Sequence, residues 1–419
     1  DFWLANPWDG PDPDDETMFM QNARDLIGLI RRHPSIALYC GRNEGFPPAT
    51  LQNALQSSIK ALHPQLSYIG SSADDVVSGH GPYCIKPTEF YFKHLSHKLH
   101  SEEGMPNMPT WESLSRFLSP NDVSFGDDTW GQHDFCMEGA PRGKDFIDIM
   151  ERHFGKPATP RQFTEWAQWL NYDGHRAMFE SRQTDRQGLL MWMSHPCWPS
   201  MVWQTYDYYL EPTAAYFGVK KACEPLHIQW NPAEREVEVV NVCRDLRMPL
   251  TAEMRIMDAK GNIITTKTVE AQPERDTTVA VFTDIVAPDE DVWFIRLRLL
   301  DGTAVVSDNF YVEGREADNL QSLAKTLGKP QLNVTKHFER QGDEWTGRVE
   351  VSNTSDTPAL LVRLNLVGSD GEQILPVLYS DNYFALMPGE KKTVEVRFSD
   401  ADSRGTRPDI LCQPFTLGE

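Results

Sequence analysis

No run in this 419-residue chain approaches the ~20 consecutive apolar residues that a helix needs to cross a bilayer, so the sequence reads as a water-soluble protein. Positive charge is also short: 40 Lys and Arg face 61 Asp and Glu, a formal charge of −21 that repels phosphate backbones and anionic membrane surfaces. Nucleic acid and membrane insertion are therefore not expected. The seven cysteines (Cys40, Cys84, Cys136, Cys197, Cys223, Cys243 and Cys412) stand singly, without a CxxC pair, which argues for free and mostly buried thiols. Low-complexity segments are absent, as is the basic, apolar, small-residue order of a signal peptide. The opening "DFWLANPWDG" reads instead as the end of a strand running into a loop.

What is present suffices for more than one core, since 40% of residues are hydrophobic and 11% aromatic. Phe19, Ala23, Ile27 and Ile30 recur at helical spacing between residues 16 and 33, with Asp14 or Asp15 placed to cap the start. "SIALYCG" then forms a short apolar run that suits a parallel strand covered on both faces. Pro48 fits a helix first turn, and Leu51, Leu55, Ile59 and Leu62 make the next stripe. "LSYIGSS", "HKLHSEEG" and "GLLMWMSHP" repeat the strand theme, the signature of an α/β layer or barrel over residues 1–222. Beyond that point the pattern changes to period two in short segments ("REVEVVNV", "TAEMRIMD", "DVWFIRLRL", "GRVEVSNTS", "EKKTVEVRF"), which predicts two antiparallel β-sandwiches at 223–315 and 316–419. A polar, helix-like linker, "GREADNLQSLAKTLGKP", separates them.

The chemistry gathers where the strands run out. If "SIALYCG" is a parallel strand, Asn43 and Glu44 emerge at its C-terminal end, the face on which barrel enzymes build their sites. A lone Asn-Glu pair is more often a solvated loop. Glu102 and Glu103 supply a second carboxylate at a second strand end, and alternation allows only one of them to face the site. Two carboxyl groups flanking one bond are what glycoside hydrolysis requires. Metal chemistry is disfavoured because His and Asp at ligand spacing are missing around both. Trp192, Trp198 and Trp203 follow the last strand candidate, and exposed indoles suit the C–H faces of sugars. Tyr83 or Asp74, in the turn-rich "SSADDVVSGHGPY", could line the same pocket, whereas His80 and the other lone histidines are given no catalytic role.

Together these residues resemble glycoside hydrolase family 2, especially the branch of exo-β-D-glucosaminidases and β-mannosidases. The resemblance is carried by "RRHPSIALYCGRNE", by Ser101-Glu102-Glu103-Gly104 and by "GLLMWMSHPCWPSMVWQTYDYYLEPTAAYFGVKKACEPLHIQW". It implies a (β/α)8 TIM barrel followed by two immunoglobulin-like sandwiches, and a retaining exo-acting β-glycosidase that needs no cofactor. Within it Glu44 takes the acid/base position on the fourth barrel strand and Asn43 the position that binds the sugar 2-hydroxyl. Glu102 takes the nucleophile position on the seventh strand, and Trp192 the aromatic position on the eighth. Tyr83 and Trp198 are further substrate-binding candidates.

Departures from the family pattern shape the expectations. The chain opens at the end of what would be the third barrel strand, so an N-terminal remainder of the enzyme is an expected requirement; without it, a non-catalytic carbohydrate-binding or assembly fragment is the alternative. "YCGRNEG" replaces a Trp-containing form common in β-mannosidases, and Glu44 stands where exo-glucosaminidases tend to carry Asp. The expected partner is a β-linked oligosaccharide or polysaccharide of mannoside, glucosaminide or galactoside type. The expected setting is a bacterial periplasm or the exterior.

Overall fold

A computed structural model describes residues 2–94, 98–119, 128–138, 142–185, 188–242, 245–246, 248–316 and 319–417, with the backbone alone at 184–185. The chain packs as two compact units, one of residues 1–82, 96–103 and 187–192, the other of the remainder, so the stretch 1–222 is shared between them.

In the first unit, α1 (Glu16–Ile30) starts where Asp15 accepts the Met18 N–H at 2.9 Å, which selects Asp15 as the cap. Helix α2 (Ala49–Leu62) follows Pro48, which sits at the cap itself, one position before the expected first turn. Between them β1 (Leu38–Arg42) pairs in parallel with β2 (Ser67–Ser71), Leu38 opposite Ser67 and Arg42 opposite Ser71. Alternation sends Tyr39 into a cluster with Ile27, Leu51, Leu55 and Ile59 of the helices. Each fully buried aliphatic side chain there contributes about 1.5–3 kcal/mol.

The opposite face of the same strands is also covered. Cys40 of β1, Ile69 of β2, Val77 and the partly buried Leu99 form one layer, a residue from each successive extended segment. The next strands, β3 (His100–Glu103) and β4 (Leu189–Met191), again pair in parallel. Ser78 forms a parallel bridge to His100, with its N–H on Leu99 O at 3.0 Å and its carbonyl accepting the Ser101 N–H at 2.6 Å. On the other side, Phe2 donates to Cys40 O and Asn43 donates to Leu4 O, both at 3.1 Å, so residues 2–4 lie along β1.

The second unit holds the antiparallel sheets. Strands β5 (Leu226–Asn231), β6 (Glu236–Asn241) and β9 (Thr277–Phe282) form one sheet. Strands β7 (Leu250–Asp258), β8 (Ile263–Ala271), β10 (Val292–Asp301) and β11 (Ala304–Gly314) form its partner in the order β11-β10-β7-β8. Ile228, Val237, Val239, Met254, Ile295 and Leu297 from the two inner faces make one core. A second pair repeats the plan: β12 (Leu332–Gln341), β13 (Glu344–Asn353), β17 (Lys391–Ser399) and β15 (Leu378–Tyr379) against β14 (Ala359–Val367), β16 (Phe384–Leu386) and β18 (Asp409–Gln413).

That second core takes in Tyr172, Ala214 and Phe217, which joins it to the helices Pro160–Asp185 and Ala214–Ala222 of the same unit. Arg363 of β14 adds ion pairs to Glu211 at 2.6 Å and Glu112 at 2.9 Å. Among its described residues, the linker expected to be helical carries one short helix, Leu323–Thr326, and Leu320 and Leu323 are buried. Among the described cysteines Cys40 and Cys84 are buried, Cys136 and Cys412 half-buried, and Cys197 and Cys223 exposed, all as free thiols; Cys243 lies outside the described residues. No described helix is long and apolar enough to cross a membrane.

Candidate active site

Asn43 and Glu44 lie immediately beyond β1, and the backbone there is unusual. Glu44 has φ +43°, the left-handed region that a non-glycine residue seldom occupies. The conformation is held from a neighbouring strand, because Ser72, just past β2, uses every polar group it has. Its N–H donates to Arg42 O at 3.0 Å, and its Oγ accepts the Glu44 N–H at 2.9 Å and donates to Asn43 Oδ1 at 3.3 Å. Its carbonyl accepts the Ser101 hydroxyl at 2.5 Å. Ser101 precedes Glu102, so one serine ties the acid/base candidate's backbone to the strand of the nucleophile candidate.

Two glycines make this crossing sterically feasible. A Cβ on Gly79 would meet the Ser101 Oγ at 1.9 Å and the Ser72 carbonyl at 2.8 Å. A Cβ on Gly41 would meet the Tyr68 hydroxyl at 2.3 Å and Pro47 at 2.9 Å, so the bare strand end lets the loop with Pro47 fold back over β1. Arg42 secures that loop. Its buried guanidinium donates to Ala5 O at 2.7 Å and Phe46 O at 3.5 Å and pairs with Asp12 at 2.7 Å.

Glu102 and Glu103 are both buried in β3. Burial first, then the charges of Asp75 and Glu102, push the Cys40 thiol above its ordinary range, so the field of Glu102 reaches the layer that Cys40 helps to form. The Glu103 carbonyl receives the Trp192 N–H at 3.0 Å, placing Trp192 directly after β4, where its ring is 43% exposed. Asn43, Glu44, Glu102 and Trp192 thus all belong to the first unit.

Tyr83 and Trp198 belong to the second unit. Tyr83 packs its ring 5.5 Å from that of Trp203, whose indole donates to the Tyr83 carbonyl at 3.3 Å. Trp198 is exposed and donates to Asp134 at 2.9 Å, so it is oriented from its own unit.

Two residues given no role on sequence grounds belong to the Glu44 neighbourhood. One is Ser72. The other is His80, whose Nδ1 lies 3.4 Å from Glu44 Oε1 and whose Nε2 lies 2.8 Å from Asp74 Oδ1. Asp74 is itself fixed by Ser71, whose hydroxyl accepts the Asp74 N–H at 3.0 Å and lies 3.3 Å from Oδ2. The only sequence signal was the density of Ser, Asp and Gly in that loop. Among the described residues no group of three or more His, Cys, Asp or Glu is arranged to hold a metal ion.

Comparison with known proteins places this architecture. Residues 309–414 match the exo-β-D-glucosaminidase Ig-fold domain. Across the chain, similarity reaches 27% identity with an exo-β-D-glucosaminidase of Amycolatopsis orientalis (93% of this chain, 42% of that protein) and 25% with a mannosylglycoprotein endo-β-mannosidase of Lilium longiflorum (100% and 56%). Among solved structures, the exo-chitosanase of Amycolatopsis orientalis superposes with TM-score 0.86 at 24% identity over 95% of this chain and 53% of that one. The β-D-mannosidase of Dictyoglomus thermophilum gives 0.74 at 18% over 96% and 51%. The fold is shared with these two solved structures. The similarity of the chain is to the exo-β-D-glucosaminidase and β-mannosidase-like branch of glycoside hydrolase family 2. The chain spans about half the length of the curated relatives it matches.

Proposed function

We propose that this chain carries the catalytic centre of a retaining, exo-acting β-glycosidase that removes the terminal sugar of a β-linked oligosaccharide or glycoconjugate. The observation that carries the proposal is the bonding of Ser72, which holds the Glu44 backbone and the residue before Glu102 at neighbouring strand ends. In this reading β1 to β4 are part of a (β/α)8 barrel spanning 1–222, with sandwich domains at 223–315 and 316–419.

Glu102 attacks the anomeric carbon while Glu44, protonated, gives its proton to the departing oxygen. Glu44, now a carboxylate, takes a proton from water, and the resulting hydroxide displaces Glu102 and frees the sugar. Retention calls for carboxyl groups about 5–5.5 Å apart, against roughly 6.5–9.5 Å for inversion. Asn43 serves the 2-hydroxyl, and Trp192 offers an exposed face for the sugar ring. The strongly acidic chain suits a neutral or cationic saccharide better than a polyanion.

The test is hydrolysis of 4-nitrophenyl β-glucosaminide, mannoside, galactoside, glucoside and glucuronide by the full product of the gene, with the first-formed anomer read by NMR. One cleaved sugar released with its β configuration is expected. A first-formed α anomer overturns the retaining mechanism. Silence on all five from a folded protein overturns the enzymatic reading in favour of a carbohydrate-binding or assembly role.

A further inference from the structure

His80 is a titratable side chain beside Glu44 for which the reaction above has no use. Its imidazole, half exposed to water, lies between two carboxylates: Nε2 at 2.8 Å from Asp74 Oδ1 and Nδ1 at 3.4 Å from Glu44 Oε1. The first distance is a strong charge-assisted hydrogen bond. The second is at the edge of bonding range and acts mainly through charge. Asp74 cannot drift, because its N–H and carboxylate are both engaged by Ser71 at the end of β2. The charged groups acting on the ring are Asp74 and Glu44, both anions. Two other charged residues of that region are engaged elsewhere: Asp75 accepts the Gly70 N–H at 2.8 Å, and Lys98 donates to the Asp75 carbonyl at 2.9 Å.

We propose that His80 is a positioning residue for Glu44, oriented by Asp74 so that a cationic ring fixes the Glu44 carboxyl group in place. The inference rests on reading Glu44 as the acid/base. The ring is well disposed for it: the hydrogen bond from Asp74 raises its proton affinity, and the nearby Glu44 charge adds to that effect against the modest opposing influence of burial. A neutral ring would make the contact with Glu44 weaker. The charged ring donates from both nitrogens. Glu44 is thereby held from two sides, its backbone by Ser72 and its carboxylate by His80.

The role has a signature that a merely structural histidine lacks. In His80→Gln the ring that holds the Glu44 carboxylate is gone. Substrates with poor leaving groups lose roughly tenfold to a hundredfold in kcat/KM from the misplaced carboxylate, while activated aryl glycosides lose little. Asp74→Asn gives a smaller loss of the same kind, and the double variant behaves as His80→Gln alone, because Asp74 acts through the ring. Equal loss on both kinds of substrate in His80→Gln overturns the proposal while leaving the glycosidase reading intact.

A second measurement needs no turnover. NMR titration of the His80 ring is expected to give a lower midpoint in Asp74→Asn and a smaller lowering in Glu44→Gln. A midpoint indifferent to Glu44→Gln overturns the proposal. Both lowerings in a protein that cleaves no glycoside would leave the pairing standing and overturn the acid/base reading of Glu44.

Discussion

Among the described residues, His80 and His227 each sit between two carboxylates, and they live in opposite surroundings. His80 is half exposed, between Asp74 and Glu44. His227, in the second unit, has no exposure at all, with Glu180 at 2.9 Å on Nε2 and Glu224 at 3.2 Å on Nδ1. Around His227 the remaining lone pairs are used: Tyr311 and Asn309 donate to Glu180 Oε1 at 2.7 and 3.0 Å, and Ser307 and Lys221 donate to Glu224 at 2.6 and 2.8 Å. This network joins the helix Pro160–Asp185 to β5 and β11. The same triad of side chains therefore does two jobs. Buried and saturated it fastens structural layers, and open to water it leaves a charge available to a neighbour.

Proton affinity tells the two apart by its causes. Burial alone would push His227 down, and the bonds and charges of Glu180 and Glu224 outweigh it, so the ring ends above its ordinary 6.5. At His80 the Asp74 bond is already the largest influence and burial only a partial opponent. The stability linked to His227 is therefore fully present below about 6.5 and is lost as pH rises through the raised folded value. Glu224, held down to about 2 despite burial by His227 and Lys221, contributes above its ordinary 4.5 and loses that as pH falls toward 2.

The comparison is tested hardest at the open site. Glu102→Gln should reduce turnover by roughly 10⁴-fold or more while the unfolding midpoint stays close to wild type, as is usual when a nucleophile is removed. A large fall in stability with proportionate activity per folded molecule would mean that Glu102 is structural. At the closed network the order reverses: His227→Gln should cost about 3–5 kcal/mol in urea unfolding, since Glu180 is left buried without its cation, and it should flatten the stability decline above pH 6.5. A pH profile identical to wild type would detach His227 from that decline. The smallest effect is expected at Gly79→Ala, about 1–3 kcal/mol from overpacking, with activity lost beyond what stability explains because the Ser101 hydroxyl must leave Ser72. Unchanged activity there would show that the Ser72 crossing is dispensable.

Legibility in the sequence followed burial. β1, β10 and β17 could be read because their apolar residues face a core, and Asn43 and Glu44 because a strand ended against Pro47 and Pro48. β8 and β12 were not seen as strands. Both lie at sheet edges: β8 is exposed along nearly its whole length, and in β12 the alternation of Leu332, Val334 and Phe338 is interrupted by Lys336. Ser72 and His80 were missed for another reason: their importance comes from what a neighbouring strand brings to them, and nothing in "SSADDVVSGHGPY" encodes the approach of Glu44 or Ser101. Asp15 was one of two candidate caps until the geometry chose it.

Those same edge strands bear on how the molecule behaves in a crowd. A bare sheet edge is a template on which a second chain can add a strand. Here β8 and β12 carry lysines, glutamates, arginine and threonines along their exposed length. Another copy docking there would have to strip water from those groups and bring like charges together. A protein that devotes so much of its mass to antiparallel sheets can thus reach high concentration as separate molecules, with its aggregation risk lowered at the strands most open to it.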